Sequence, residues 1–141
     1  MILLDTNVLS ALMQQQPDAQ VVAWLDEQPA EFIWISSVTL FEARYGLALL
    51  PTGRRKTLLH ERFDQLLQED LRNRVLPFDA DAAAQAAELA AERRARGRPV
   101  DMRDTFIAGV ALARRAALAT RDTRHFDDLR VTVVDPWAEA G

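Results

Sequence analysis

The sequence predicts an α/β fold: one domain over residues 1–141, with a doubly wound, mostly parallel five-stranded sheet, flanking helices and a helical hairpin. Three observations lead there. Short apolar runs alternate with segments of helical periodicity, the pattern of strand–helix units stacked around a parallel sheet. The first two runs end in polar turns, Asp5-Thr6-Asn7 and Ser36-Ser37. No internal repeat, low-complexity tract or long linker divides the chain. Right-handed crossovers between parallel strands make such a sheet doubly wound.

Met1 to Leu4 reads as a buried first strand, and Val8 to Met13 as a short helix broken by Pro17-Asp18. Ala19 to Glu27 carries Val21, Val22, Trp24 and Leu25 at helical spacing and stops at Gln28-Pro29. Phe32 to Ile35 is aromatic and β-branched, hence a second strand. Val38 to Leu50 reads as a helix with Phe41, Tyr45 and Leu49 on one stripe. After the turn Pro51-Thr52-Gly53, Arg54 to Leu71 is a long amphipathic helix carrying Leu58, Leu59, Phe63, Leu66 and Leu67 on one side. These two helices form the hairpin. Their apolar stripes most simply mean core, but the surplus also suggests a self-association surface and a homodimer.

Val75 to Pro77 is a brief third strand. Asp79 can cap the alanine-rich helix that runs to about Arg96 and ends at Gly97. A loop from Arg98 to Met102 precedes a helix opened by Asp104 and running to Arg115. Ala117 to Ala119 is a fourth strand and Val131 to Val134 a fifth, with a helical turn near Phe126 between them. The tail Asp135-Pro136-Trp137 is expected to pack on the domain, with Trp24, Trp34 and Trp137 serving as packing residues.

Composition narrows the function classes. Apolar content of 49% and charged content of 27% are ordinary for a globular protein. There is no cysteine, which excludes thiolate chemistry and zinc–sulfur sites and suits a reducing cytoplasm, the expected location. No basic segment precedes a long apolar run, so no secretory signal is expected. The apolar runs fall far short of the roughly 20 residues needed to span a bilayer, so no membrane association is expected. A net charge of −4 argues against a generic basic nucleic-acid coat. Of 17 basic residues, however, only Lys56 is lysine. Arginine grips phosphate with a bidentate fork that lysine lacks, although codon bias is the plainer source of the preference.

Asp5, Glu42, Asp104 and Asp122 carry the chemistry. They lie far apart in sequence, yet each falls just past a predicted strand or in the first turn of a helix. In a parallel sheet those places converge on the carboxyl edge, where ligands bind. One carboxylate pair at about 4 Å costs roughly 4 kcal/mol at an effective dielectric near 20. Several such pairs rival the ~5–15 kcal/mol stability of a domain. The cluster must therefore hold protons or a cation, and oxygen-only ligands point to Mg²⁺ or Mn²⁺. Each acid also has a structural reading. Asp5, Asp104 and Asp122 stand where N-cap or Asx-turn residues are favoured, and Glu42 follows Thr39 at capping-box spacing.

The surrounding segments are similar to those of the PIN-domain family, in particular the toxin nucleases of VapBC-type toxin–antitoxin modules. Ile2-Leu3-Leu4-Asp5-Thr6-Asn7-Val8 resembles the family's opening strand and first acid. Ser36-Ser37-Val38-Thr39-Leu40-Phe41-Glu42, with Gly46 a turn later, resembles the second-acid segment. Asp104-Thr105-Phe106-Ile107-Ala108 and Thr120-Arg121-Asp122-Thr123-Arg124-His125-Phe126 resemble the third and fourth. The resemblance covers nearly the whole chain and implies a PIN-like domain with Mg²⁺- or Mn²⁺-dependent endoribonuclease activity. It carries Asp5, Glu42, Asp104 and Asp122 over as the metal-binding and catalytic acids. It also implies an RNA substrate, a cognate antitoxin that enters the active-site groove, and operator DNA contacted through that complex.

Around the acids, Thr6 and Thr120 are expected to orient carboxylates or metal-bound water. Asp101, one helical step before Asp104, is read as a helix cap or a supporting residue. Arg121 and Arg124 bracket Asp122 and could grip substrate phosphates. Arg93, Arg94, Arg96 and Arg98, at a helix end and in the loop leading to Asp101, could grip phosphates in the same way, but Arg93 and Arg94 are read mainly as a solvated helix end favoured by the macrodipole. His125 is expected to pack beside Phe126.

Two rival readings are set aside on single positions. A haloacid-dehalogenase-type phosphatase needs an aspartate where Asn7 stands, and a response-regulator receiver needs a late-strand lysine, whereas Lys56 lies in the hairpin. A non-catalytic role, serving mainly to assemble a DNA-binding repressor complex with an antitoxin, remains as the alternative to the nuclease.

Overall fold

Ile2-Leu3-Leu4 lies at the centre of the sheet, where a strand is covered on both faces and its sequence runs unbroken in apolar residues. The computed structural model describes residues 1–138. The strands are β1 (Ile2–Leu4), β2 (Ile33–Ser36), β3 (Val75–Leu76), β4 (Ala117–Ala119) and β5 (Val133–Val134). Their order is β3-β2-β1-β4-β5, and every neighbouring pair is parallel. The helices are α1 (Thr6–Met13), α2 (Ala19–Asp26), α3 (Ser37–Leu49), α4 (Arg54–Gln65), α5 (Ala80–Ala95) and α6 (Met102–Arg114). Among the described residues no helix is long and apolar enough to cross a membrane.

Successive side chains of β1 point to opposite faces of the sheet and found two cores. Leu4 packs with Val8, Leu9, Val21 and Phe63 beneath α1, α2 and α4. Leu3 packs with Leu89, Ile107, Leu118 and Phe126 beneath α5 and α6. Those two helices approach closely because Gly109 has no side chain: a Cβ there would lie 2.5 Å from the Ala82 carbonyl oxygen and 2.8 Å from the Ala86 Cβ. The strand order reverses direction on either side of β1, so the chain leaves β1 and β4 toward opposite faces. The crevice between their carboxyl ends is the topological switch point of the fold.

The local signals act as expected at several boundaries. The Asp79 carboxylate accepts from the Ala82 N–H and caps α5, and Gly97, at φ +69°, ends it in the left-handed conformation. Trp24, Trp34 and Trp137 all pack against the two cores.

Four expectations need correction. First, α6 opens at Met102 rather than at Asp104, because Asp101 is the residue that caps it. Second, α3 is capped by Ser36, whose hydroxyl accepts from the Thr39 N–H, so Thr39 and Glu42 form no capping box and Glu42 sits on the second turn. Third, the helix starting at Arg54 does not run evenly to Leu71: Leu66–Asp70 widens into a π-turn that seats Leu67 in the core. Fourth, Phe41, Tyr45 and Leu49 are not core; they are 64%, 56% and 67% exposed. Leu40, Ala43 and Leu47 supply the inward face of α3 instead, with Leu50 just past its end, which leaves the aromatic stripe outward, with Phe41 and Tyr45 stacked at 5.8 Å.

Candidate active site

The four acids arrive at the switch point on four different elements. Asp5 is the residue at which β1 becomes α1, and Asp122 follows β4. Glu42 projects from α3, and Asp104 from the first turn of α6.

Asp5 is almost fully buried. Its Oδ1 accepts from the Thr6 N–H at 2.8 Å and its Oδ2 from the Thr120 hydroxyl at 2.7 Å. Burial pushes this carboxyl up to about 6, the bonds from Thr120 and Thr6 oppose the rise, and the nearby Asp104 and Glu42 carboxylates add to it. Glu42 is held by the Thr6 hydroxyl, which donates to Oε1 at 2.8 Å. That hydroxyl has one proton, so its 3.2 Å contact with Thr39 is one in which the buried Thr39 hydroxyl donates. The other oxygen of Glu42, Oε2, accepts from Arg103 Nη1 at 3.0 Å.

Asp122 is more open. Asn7 Nδ2 donates to its Oδ2 at 3.2 Å, and the Asp122 N–H donates to the Thr120 hydroxyl oxygen at 3.0 Å. Thr120 thus ties the loop after β4 to the acid after β1. Asp104 lies on the other wall, where its carboxyl is raised by burial first and then by the Asp101 and Asp122 carboxylates, with His125 acting against the rise. Asp101 itself caps α6: its Oδ1 accepts from the Asp104 N–H at 3.0 Å.

The fold therefore brings all four acids into one electrostatically coupled edge. It does not close them round a point: among the described residues no three acid or histidine side chains surround an ion-sized space. Glu42 is turned to Arg103 and Asp104 to His125. The donor set still fits a hard divalent cation. Every acid offers oxygen alone, and two carboxyls are raised partly by like charges that such a cation would relieve. Beside Asp104 a cavity of about 240 Å³ is lined by Arg93, Arg98, Pro99, Asp101, Asp104 and His125. A larger one, about 470 Å³, lies under Leu9, Leu12 and Leu25 and touches none of the four acids.

Two expectations about neighbouring residues change. His125 is not packed beside Phe126; its ring is largely exposed, with Nδ1 3.1 Å from Asp104 Oδ2, because Phe126 alone turns into the core. Arg93 is not solvated; it is 2% exposed and forks onto Asp128 through Nε and Nη2, both at 2.9 Å, while Nη2 also donates to the His125 carbonyl. Arg121 places its guanidinium 4.9 Å over the Trp137 ring. Arg124 is exposed, and its carbonyl accepts from Arg98. Asn7, Thr39 and Arg103 belong to the network and were not foreseen as site residues. Only Asn7 carried a sequence signal, its place directly after Asp5-Thr6.

Residues 2–131 match the family model described as PIN domain. The chain is 40% identical over 140 residues to "VapC ribonuclease Y4jK" of Sinorhizobium fredii, covering 99% of this chain and 100% of that protein. It is 41% identical over 137 residues to "Toxin FitB" of Neisseria gonorrhoeae, covering 97% and 99%. A solved structure described as FitAB bound to an IR36 DNA fragment matches at a TM-score of 0.90 and 40% identity, over 100% of this chain and 99% of that one.

Proposed function

The chain belongs to the PIN-domain family, and we propose that it is a metal-dependent endoribonuclease acting as the toxin of a toxin–antitoxin pair. The observation that carries this reading is the electrostatic coupling of Asp5, Glu42, Asp104 and Asp122 at the switch point of the sheet. The names of two relatives, one a ribonuclease and one a toxin, support it.

In this reading Asp5, Glu42, Asp104 and Asp122 hold Mg²⁺ or Mn²⁺. Such a cation supplies Lewis acidity for phosphodiester hydrolysis and charge for the transition state. The chain's own residues do the positioning. The Thr6 hydroxyl aims Glu42, the Thr120 hydroxyl aims Asp5, and the Asn7 amide steadies Asp122. Asp101 locks the first turn of α6 and so the place of Asp104. Arg121 and Arg124, exposed beside Asp122, are available to phosphates flanking the cut. The substrate is RNA, and the working location is the cytoplasm.

A protein antitoxin is the proposed partner, and operator DNA is reached only through that complex, as the DNA-bound FitAB neighbour suggests by analogy. The exposed Phe41, Tyr45 and Leu49 stripe is the proposed homodimer face. The DNA-bound FitAB neighbour also fits a repressor complex, a role that can coexist with catalysis, and the presence of all four acids at one edge favours the nuclease.

The direct test is RNA cleavage by the purified chain, free of antitoxin, with Mg²⁺ or Mn²⁺ and then with chelator. Cleavage should vanish with chelator, and Asp104→Asn should lower it by at least about a hundredfold. Activity that ignores both would remove the assigned site.

A further inference from the structure

Arg103 stands apart from the other arginines. Among the described residues it is the one arginine that bonds to any of the four acids. Arg93 and Arg98 are committed to Asp128 and Asp127, Arg44 to Asp64 and Arg114 to Asp79. The pair is also lopsided: the Glu42 side chain is 13% exposed and that of Arg103 68%. An arginine carries five N–H donors, and one of these, on Nη1, bonds to Glu42. The rest of the side chain is largely exposed beside Glu42.

Its place in the helix sharpens the point. Arg103 lies in the first turn of α6, where the macrodipole favours negative charge and disfavours a cation. Helix α4 breaks the same rule with Arg54, Arg55 and Lys56, none of which bonds to the four acids among the described residues; at α6 the breach falls on the residue that pairs with Glu42. Resting on the functional reading above, we propose that Arg103 is the cleft's resident counter-ion: it yields Glu42 to a divalent cation and then holds a non-bridging phosphate oxygen of the RNA. The same guanidinium serves both states because it is tethered beside Glu42 and Asp104 but free at its outer edge. No covalent change is involved; a cation replaces a guanidinium on one carboxylate, and the guanidinium exchanges a carboxylate for a phosphate.

The experiment compares wild type, Arg103→Ala and Arg103→Lys, each purified without antitoxin. Mn²⁺ binding is measured by calorimetry without RNA, and KM and kcat with a short fluorescent RNA oligonucleotide. Removing a competing cation of the exposed class should tighten Mn²⁺ binding by about two- to fivefold in Arg103→Ala. KM should rise by about tenfold, with kcat changed far less, as a lost charge-assisted phosphate bond predicts. Lysine keeps the charge without the fork, so Arg103→Lys should restore wild-type Mn²⁺ affinity and only part of the KM. An Arg103→Ala variant with unchanged Mn²⁺ affinity and KM overturns the proposal, as does one that binds Mn²⁺ more weakly, which would make Arg103 a scaffold for Glu42. A wild-type chain that neither binds Mn²⁺ nor cuts RNA overturns the functional reading and this inference together. Wild type that does both while Arg103→Ala matches it overturns this inference alone.

Discussion

Asp122 and Asp128 lie on either side of the same short turn, Thr123–Phe126, after β4. Asp128 is buried with Arg93, whose hydrogen bonds and charge, with help from Arg98, hold its carboxyl below the usual range although burial opposes them. Asp122 faces the other way, toward Asn7 and into the field of Asp104. Across that cleft the sign of the shift reverses: burial and like charge raise Asp5 and Asp104. A fold that can match a buried acid with a fork of arginine has done so in one region and not in the other. Among the described residues every buried side-chain N and O atom has a hydrogen-bond partner, Asp5 included, so the two regions differ not in hydrogen bonding but in the balance of charge around the carboxylates.

Three measurements would break or sharpen that contrast. The largest effect is expected at the matched pair. Arg93→Ala leaves the Asp128 carboxylate with Arg98, at 3.5 Å, as its remaining ion-pair partner and should cost about 3–5 kcal/mol in urea unfolding. A loss below about 1 kcal/mol would show that the pair is wetter than its burial implies.

The second concerns Asp5 and has the opposite sign. Its carboxyl moves from 3.8 to about 6 on folding, so the folded chain holds that proton more tightly than the unfolded chain does. Its contribution to stability is therefore full below the unfolded value and is lost as the pH rises through about 6. With chelator present, wild type should lose up to about 3 kcal/mol between pH 4 and pH 7 from this group. Asp5→Asn should flatten that loss and be the more stable protein at pH 7.5, while losing cleavage. A pH-independent wild type would mean that the cleft is not charge-frustrated.

The smallest effect tests the outer edge of the matched region. Arg98 reaches Asp127 at 2.8 Å, but Asp127 is 65% exposed. Arg98→Ala should change unfolding free energy by less than about 1 kcal/mol. A larger loss would mean that Arg98 serves Asp128, at 3.5 Å, rather than Asp127.

Most of the fold was legible because its signals are local. The apolar run at Ile2–Leu4, the cap at Asp79 and the stop at Gly97 each act through neighbouring residues. Asp5, Asp122 and Asp104 were placed for a related reason, since they follow a strand or lie in a helix's first turn and in a parallel sheet those positions share an edge; Glu42, on the second turn of α3, meets them where the Thr6 hydroxyl holds it. The misreadings arose where a side chain chooses among distant partners. Nothing near Arg93 announces Asp128, and nothing near Glu42 announces Arg103. The stripe of Phe41, Tyr45 and Leu49 was apolar at the right spacing, yet a second stripe on the same helix took the core. Periodicity reports that a helix has an apolar face, and α3 has two.

From its residues alone this protein was bound to be a parallel α/β domain with carboxylates gathered at one edge, because backbone direction and side-chain alternation follow from short-range sterics and hydrophobic period. Packing in three dimensions decided which of those carboxylates would be paired: the threonines at the switch point, Asn7, His125 and Arg103 meet their acids only once β1, β4, α3 and α6 converge. Hydrogen bonds and ion pairs act over a few ångströms of space, and spacing along a chain does not encode that distance.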